Sequence, residues 1–231
     1  MKRFWKEVLV IREDDGWGIQ LDGRPVKTPA RAPLLVPSEA LANAIGEEWR
    51  SVAEDIDPRA MPLTGLANAA IDRVSAGRQA FAEGLARYAA ADLACYRAEG
   101  PRALVMRQEQ DWDPLLAWAR RRYDVDFTTT SGIMHVGQPE ATFERLSHAV
   151  STLDPFHLAG LAPLVTIGGS LVAALAVLEK AMMPEQAWAA VSLDETWQLE
   201  QWGSDAEAEA ALENRRREFF AAATFLELLD A

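Results

Sequence analysis

The first 36 residues alternate short apolar runs with turn-forming residues. Strands are predicted over residues 6–12, 17–21 and 26–28, and a further short apolar run lies at 34–36. The Asp22-Gly23 pair between the second and third strands is typical of a two-residue hairpin turn. Because so few strands cannot enclose a core, we expect an antiparallel meander that packs against a later part of the chain.

From Pro37 onward, apolar residues recur at the three- and four-residue spacing of amphipathic helices. Ser38 is a candidate N-cap for the first helix. Further helices are predicted over residues 63–74, 78–96, 112–123, 139–153 and 184–202, and from a cap at Asp205 to residue 229. The expected fold class is α+β, with a small antiparallel β-rich N-terminal domain at residues 1–60 and a larger, mostly α-helical C-terminal domain at 61–231.

One apolar run is long enough to be tested as a membrane span. Residues 158–178 carry no charged side chain, and about 20 apolar residues suffice to cross a bilayer. Pro163 and the Gly168-Gly169-Ser170 triplet favour a helix break in the middle of this run, and no Lys/Arg cluster flanks it. We therefore expect one or two buried helices and no membrane insertion.

The charge of the chain excludes one class of partner. The 231 residues include 23 Lys and Arg against 35 Asp and Glu, so the formal charge is −12. Nucleic-acid binding depends on clustered basic residues that neutralise phosphates, and we expect no nucleic-acid partner. The first residues lack the apolar segment of a secretory signal, and a cytoplasmic location is predicted.

The sequence contains no recognisable catalytic or cofactor-binding motif. A single cysteine, Cys95, excludes a disulfide framework, and the three histidines lack the spacing of a metal site. We predict no catalytic residue, no metal and no cofactor, and we expect Cys95 to be buried and unreactive. The alternative is a small-molecule enzyme whose polar pocket would use four charged residues, Asp92, Arg97, Arg107 and Asp113.

The most informative cluster of polar and aromatic residues lies at 193–203. One helical face there would combine a carboxylate, two amides and an indole, from Asp194, Trp197, Gln198 and Gln201. Seven acidic residues and no basic one lie between residues 194 and 213. Two interpretations stay open, because Trp is common in binding interfaces but also in cores. The segment is either a partner-binding face or a solvated acidic face with Trp197 or Trp202 turned into the core.

Seven short segments carry a resemblance to a known family: RFWKEV (3–8), LDGRPVKTP (21–29), IDP (56–58), MPLT (61–64), DLACYRA (92–98), WDPL (112–115) and DETWQLEQWG (194–203). Together they resemble the Atp12 assembly chaperones for the F1 part of ATP synthase. Each segment is short and weak by itself, but their number and order along nearly the whole chain make the resemblance specific.

The resemblance implies a chaperone, not an enzyme, that binds the free F1 α subunit. It would prevent aggregation of that subunit during assembly of the proton-transporting ATP synthase, with no cofactor. In this family a glutamate of the C-terminal domain is tied to function, and the matching position here is Glu195. Asp194, Gln198 and Trp202 accompany it as neighbours on the same helix. Since mitochondrial members carry a presequence and this chain shows none, the resemblance implies a bacterial, cytoplasmic member that is a monomer when free.

Overall fold

The computed structural model describes residues 2–132, 134–203 and 206–231. The chain packs as two compact units, and neither is continuous in sequence. The first unit comprises Met1–Arg78, Asp154–Gly160 and Ala221–Ala231, and the second comprises Gln79–Leu153 and Leu161–Phe220. The division at residue 60 into two consecutive sequence domains stays a prediction.

The first unit begins with a four-stranded antiparallel sheet. Its strands are β1 (Val8–Glu13), β2 (Gly16–Leu21), β3 (Arg24–Pro25) and β4 (Leu35–Val36), and β2 pairs with each of the other three. The predicted hairpin is confirmed, because Asp22 and Gly23 form its turn at φ angles of 48° and 76°. The Asp22 carboxylate accepts hydrogen bonds from two backbone N–H groups, those of Lys6 and Glu7, which lower its pKa.

The third strand lies earlier than predicted. It covers Arg24–Pro25 instead of residues 26–28, although the Val26 N–H still bonds to the Ile19 carbonyl at 2.8 Å. Lys27 pairs with Pro33 in an isolated bridge, so the chain here turns back on itself and does not extend along β2.

Two helices follow the sheet in the first unit. Helix α1 (Glu39–Ser51) begins at the predicted cap, where the Ser38 hydroxyl accepts from the Leu41 N–H at 3.1 Å. Helix α2 (Pro62–Ala69) continues as a π-helical turn over Ala70–Val74. The helix predicted at 63–74 is therefore confirmed. The Glu48 carboxylate of α1 accepts from the first N–H groups of α2, those of Leu63 and Thr64, each at 2.8 Å.

The helix predicted at 78–96 is wrong beyond its first half. Helix α3 covers Arg78–Ala86, two 3₁₀ turns follow, and Tyr96–Arg97 forms a short strand, β5. The backbone is extended at Asp92, with ψ at 133°. Its buried carboxylate accepts from the Ala94 N–H of the following 3₁₀ turn and also bonds to Ser170 and Val172, which lie far later in the chain. Strand β5 pairs in parallel with β6 (Thr130–Ser131).

The remaining helices largely follow the predicted pattern with shifted ends. Helix α4 (Arg102–Tyr123) starts ten residues before the predicted 112, and α5 covers Glu140–Ser151. The helix predicted at 184–202 is two helices, α8 (Pro184–Val191) and α9 (Leu193–Trp202), which meet at Ser192. Helix α10 covers Ala206–Leu229, and its predicted cap, Asp205, lies outside the described residues.

The long apolar run forms two helices, as expected from its central glycines. These are α6 (Pro155–Gly168) and α7 (Leu171–Leu178), and Gly169 between them has a φ of +65° that favours glycine. The Ser170 hydroxyl caps α7 by accepting from the Ala173 N–H at 3.0 Å. No helix within the described ranges combines the length and apolar character that crossing a bilayer requires. The α+β class, with a small N-terminal antiparallel sheet followed by a helical region, is confirmed.

Candidate partner-binding site

The polar and aromatic residues of helix α9 differ in their exposure to solvent. Trp197 and Leu193 are buried, Asp194 is half-buried, and Gln198 is exposed. Trp202, in the last turn, leaves 79% of its surface exposed, the largest exposed fraction among the big apolar side chains that the structure describes. The two tryptophans therefore differ in location: Trp197 lies in the core and Trp202 lies on the surface.

An open cleft of about 440 Å³ lies between α9 and the start of α4. Gly100, Pro101 and Leu104 form one wall, and α9 forms the other with Asp194, Trp197, Gln198, Gln201 and Trp202. Three of the four predicted partner-binding residues, Asp194, Gln198 and Trp202, therefore line one cleft. Its volume falls within the range of about 300–1,000 Å³ that is common for ligand sites.

Glu195, the fourth predicted residue, does not line the cleft. Its carboxylate accepts a hydrogen bond from the Arg215 guanidinium of α10 at 2.6 Å. Both side chains are about half exposed, so this ion pair is a surface pair of small energetic weight.

Gln108 of α4 joins helix α9 to the segment that contains Arg97 and Ala98. This side chain is 1% exposed, and its amide donates to Asp194 Oδ1 at 2.7 Å and accepts from the Ala98 N–H at 2.8 Å. The Gln108 carbonyl also accepts from Arg97 Nη1 at 3.1 Å. One buried residue thereby connects α9 to the segment that contains Arg97, and it fixes the position of the Asp194 carboxylate.

Arg107, the neighbour of Gln108, contacts two further residues of α9. Its guanidinium lies over the Trp197 ring, 4.8 Å from the centroid, and donates to Glu200 Oε2 at 2.7 Å. A cation on an indole face with a carboxylate partner is a favourable arrangement. Arg107 therefore fixes the buried tryptophan of α9 and neutralises Glu200.

Arg97 repeats this arrangement in the interior of the second unit. Its guanidinium lies 5.3 Å from the centroid of the Trp112 ring and donates to Asp113 Oδ1 at 2.8 Å. Arg97 Nε donates to the Ala94 carbonyl at 3.0 Å, and only 9% of the side chain is exposed. The indole N–H of Trp112 donates to the Ala190 carbonyl at 2.8 Å, so this cluster attaches α4 to α8, the helix that precedes α9.

The four residues of the alternative enzyme pocket do not act together. Arg97 and Asp113 pair with each other, but Arg107 bonds to Glu200 and Asp92 bonds elsewhere. The buried Asp92 carboxylate accepts from the Ser170 hydroxyl at 2.7 Å and the Val172 N–H at 2.9 Å, at the start of α7. Burial raises the pKa of Asp92, and its hydrogen bonds give it a structural role as a cap.

Cys95 is buried and unsuited to nucleophilic chemistry. Burial, together with the negative charge of Asp92, raises the pKa of its thiol to about 12. A thiol rather than a thiolate is therefore present at neutral pH. In the described part of the chain, no group of three or more His, Cys, Asp or Glu side chains is arranged to hold a metal ion.

Sequence reasoning missed several residues that shape the cleft. Pro101 and Leu104 are not among the predicted site residues, and both lie outside the predicted helices. Gln108 is not among the residues predicted from the sequence. It precedes the buried Trp112 by one helical turn, and that spacing is the signal that would have placed it on the inner face of α4.

Comparison with known proteins gives one consistent family. The family model described as ATP12 chaperone protein matches residues 2–120, slightly more than half of the chain. A crystal structure of Atp12 from Paracoccus denitrificans is 42% identical, with a TM-score of 0.94 over 99% of this chain and 98% of that one. A second crystal structure, of a protein from Agrobacterium tumefaciens, is 40% identical. Its TM-score is 0.94 over 99% of this chain and 86% of that one.

A more distant relative comes from a eukaryote. The protein atp12, mitochondrial, of Schizosaccharomyces pombe is 27% identical over 215 residues. The matched region covers 88% of this chain and 74% of the relative.

Proposed function

The chain belongs to the ATP12 chaperone family, and from this premise we propose that it binds the free α subunit of F1. The bound chaperone prevents aggregation of that subunit until the proton-transporting ATP synthase assembles. A free α subunit exposes an assembly surface that is partly apolar, and large exposed apolar patches promote aggregation. The chaperone covers that surface and later leaves it, without catalysis and without a cofactor.

The observation that carries this proposal is the exposed end of α9. Trp202 is 79% exposed at the mouth of a cleft that Asp194 and Gln198 also line. Exposing a tryptophan to water is unfavourable, and tryptophan is among the residues that contribute most to binding interfaces. We propose that Glu195, Asp194, Gln198 and Trp202 form the client-binding surface.

The polar character of α9 suits a partner that must be released. Carboxylates and amides next to one large indole form an interface of moderate hydrophobicity, unlike the apolar interfaces of permanent complexes. Exposed acidic groups also accelerate encounter with a basic surface while adding little to the lifetime of the complex. A moderate affinity with rapid association is therefore expected.

We propose a bacterial, cytoplasmic place of action and a monomeric free state. The likeness supports this location, since the chain is 42% and 40% identical to the two bacterial proteins and 27% identical to the mitochondrial one. Co-purification from native cytoplasm tests it, and recovery of the F1 α subunit without assembled F1 is the expected result.

The direct test of the surface is Glu195→Lys. Losing the exposed Glu195–Arg215 pair costs about 0.2–1 kcal/mol, and the new lysine lies beside Arg215. We expect the thermal midpoint to fall by about 4 °C at most, while capture of purified F1 α subunit in a pull-down is lost.

The matched control for this charge reversal is Glu47→Lys. Glu47 is an exposed acid of α1 that also pairs with an arginine, Arg50, but it lies in the first unit. This variant should capture the α subunit as the wild type does. Joint loss of fold and capture in Glu195→Lys would reduce Glu195 to a structural role.

A further inference from the structure

The cleft beside α9 has the charge and shape of a site for a short, extended peptide segment with a basic side chain. We infer, on the basis of the proposed function, that it binds such a segment of the client, whose Lys or Arg side chain pairs with Asp194. Gln198 and Gln201 bond to the backbone of the segment, and Trp202 packs on a neighbouring side chain. This inference names the chemistry of the client segment, which the family relationship does not specify.

The first support is the distribution of charge around the cleft. Glu195 and Glu200, the other two carboxylates of α9, each have a guanidinium partner, from Arg215 and Arg107. Asp194 has only a neutral one, the Gln108 amide on Oδ1, and Oδ2 has no hydrogen-bond partner among the described residues. This half-buried carboxylate therefore has no cationic partner among the described residues and is open to an incoming cation.

The second support is the unused hydrogen-bonding capacity of the α9 face. The side-chain amides of Gln198 and Gln201 bond to no other group in the described ranges, although both line the cleft. Each amide offers donors and an acceptor, which match the N–H and C=O groups of an extended backbone. An extended segment presents such groups at every residue, whereas a helical segment has already used them internally.

The third support is the length of the binding face. Asp194 and Trp202 are eight residues apart on one helix, so their Cα atoms are separated by about 12 Å along its axis. An extended chain rises about 3.3 Å per residue, and about four residues therefore span this distance. The basic side chain then lies at the Asp194 end and the apolar contact at the Trp202 end.

Two short peptides test the inference. The probes are acetyl-Gly-Ser-Arg-Ser-Gly amide and its counterpart with citrulline, which is neutral and nearly the same shape as arginine. Binding is followed through the NMR signals of the indole N–H groups, with Trp202 assigned by its loss in Trp202→Phe. At low salt we expect the arginine peptide to bind the wild type about twofold to fivefold more tightly than the citrulline peptide.

Two variants separate charge from contact area. Asp194→Asn keeps an acceptor for Gln108 and removes the charge, so the arginine preference should fall to about one. Trp202→Ala removes an exposed side chain, so it should fold normally and weaken both peptides by a similar factor. Glu109→Gln, on an exposed position of α4 outside the cleft, is the matched control and should retain the preference.

The outcomes distinguish this inference from the proposed function. Equal binding of the two peptides to the wild type, or an unchanged preference in Asp194→Asn, overturns it. So does a Trp202 signal that shifts with protein concentration alone, because a second copy of the chain would then occupy the cleft. Capture of purified F1 α subunit is measured in parallel. Capture without any arginine preference rejects only this inference, while arginine preference without capture supports the cleft chemistry and rejects the α subunit as client.

Discussion

Replacing Gln108 by leucine tests whether one buried amide connects α9 to the rest of the second unit. The substitution keeps the size of the side chain but leaves the Ala98 N–H and the Asp194 carboxylate without their partners at 2.8 and 2.7 Å. A lost hydrogen bond to a charged group costs about 1.5–3 kcal/mol, and an unsatisfied backbone donor costs about 1–3 kcal/mol. Asp194 is half-buried and regains water, while leucine gains apolar burial, so we expect a net loss of about 2–4 kcal/mol.

The assay is equilibrium unfolding in urea, followed by tryptophan fluorescence. Gln110→Leu is the control, because Gln110 lies on the same helix but is exposed, and its free energy of unfolding should change by less than about 0.5 kcal/mol. Hydrogen exchange should also show faster opening of α9 in Gln108→Leu than in the control. If Gln108→Leu is as stable as Gln110→Leu, then the amide does not hold α9 and the reasoning about the cleft is refuted.

Three further predictions concern a thiol, a pH effect and a pair of glycines. Cys95, whose thiol pKa is raised to about 12 by burial, should not react with a thiol reagent at pH 8 in the native protein and should react fully in urea. His157 hydrogen-bonds to the Asp154 carboxylate, which raises the pKa of the imidazole and lowers that of the carboxyl. The stability that this pair contributes to the fold requires an ionised Asp154 and a protonated His157. It is therefore present above about pH 4, the pKa of an unfolded aspartate, and is lost as the pH rises through the elevated pKa of His157. His157→Gln should cost more stability at pH 5.5 than at pH 9, and an equal cost at both would contradict this. Gly160→Ala should destabilise by about 1–3 kcal/mol, because the new Cβ would lie 2.7 Å from a leucine Cδ2 of α10. Gly65→Ala, in open space within α2, should instead stabilise by about 0.5–1 kcal/mol, and thermal melts of the two variants check the opposite signs.

Features that depend on local chemistry could be predicted from the sequence. The Asp22-Gly23 turn fixes a hairpin through the backbone angles of two residues, and Ser38 begins α1 through a hydrogen bond three residues away. The break in the apolar run at Gly169 is local in the same sense, because only a residue tolerant of positive φ fits there. These features together were enough to predict the α+β class.

Features that depend on contacts between distant residues could not be predicted. The extended break at Asp92, inside the helix predicted at 78–96, coincides with a bond to Ser170, 78 residues further along the chain. In the candidate site, helical spacing placed Asp194 and Gln198 on one face of α9. The bond from Gln108, 86 residues before Asp194, has no pattern in the sequence that would reveal it. The exposure of Trp202 and the burial of Trp197 depend likewise on what packs against α9.

Hydrogen exchange on the complex tests the central claim most directly, namely that α9 is the surface that binds the F1 α subunit. Purified chaperone is exchanged alone and with saturating F1 α subunit, and protection is compared for peptides that cover α9 and peptides that cover the β1–β2 hairpin. The account predicts that α9 gains protection, that the indole N–H of the exposed Trp202 is shielded, and that Glu195→Lys abolishes both effects. A stable complex in which α9 exchanges as fast as in the free protein would contradict it.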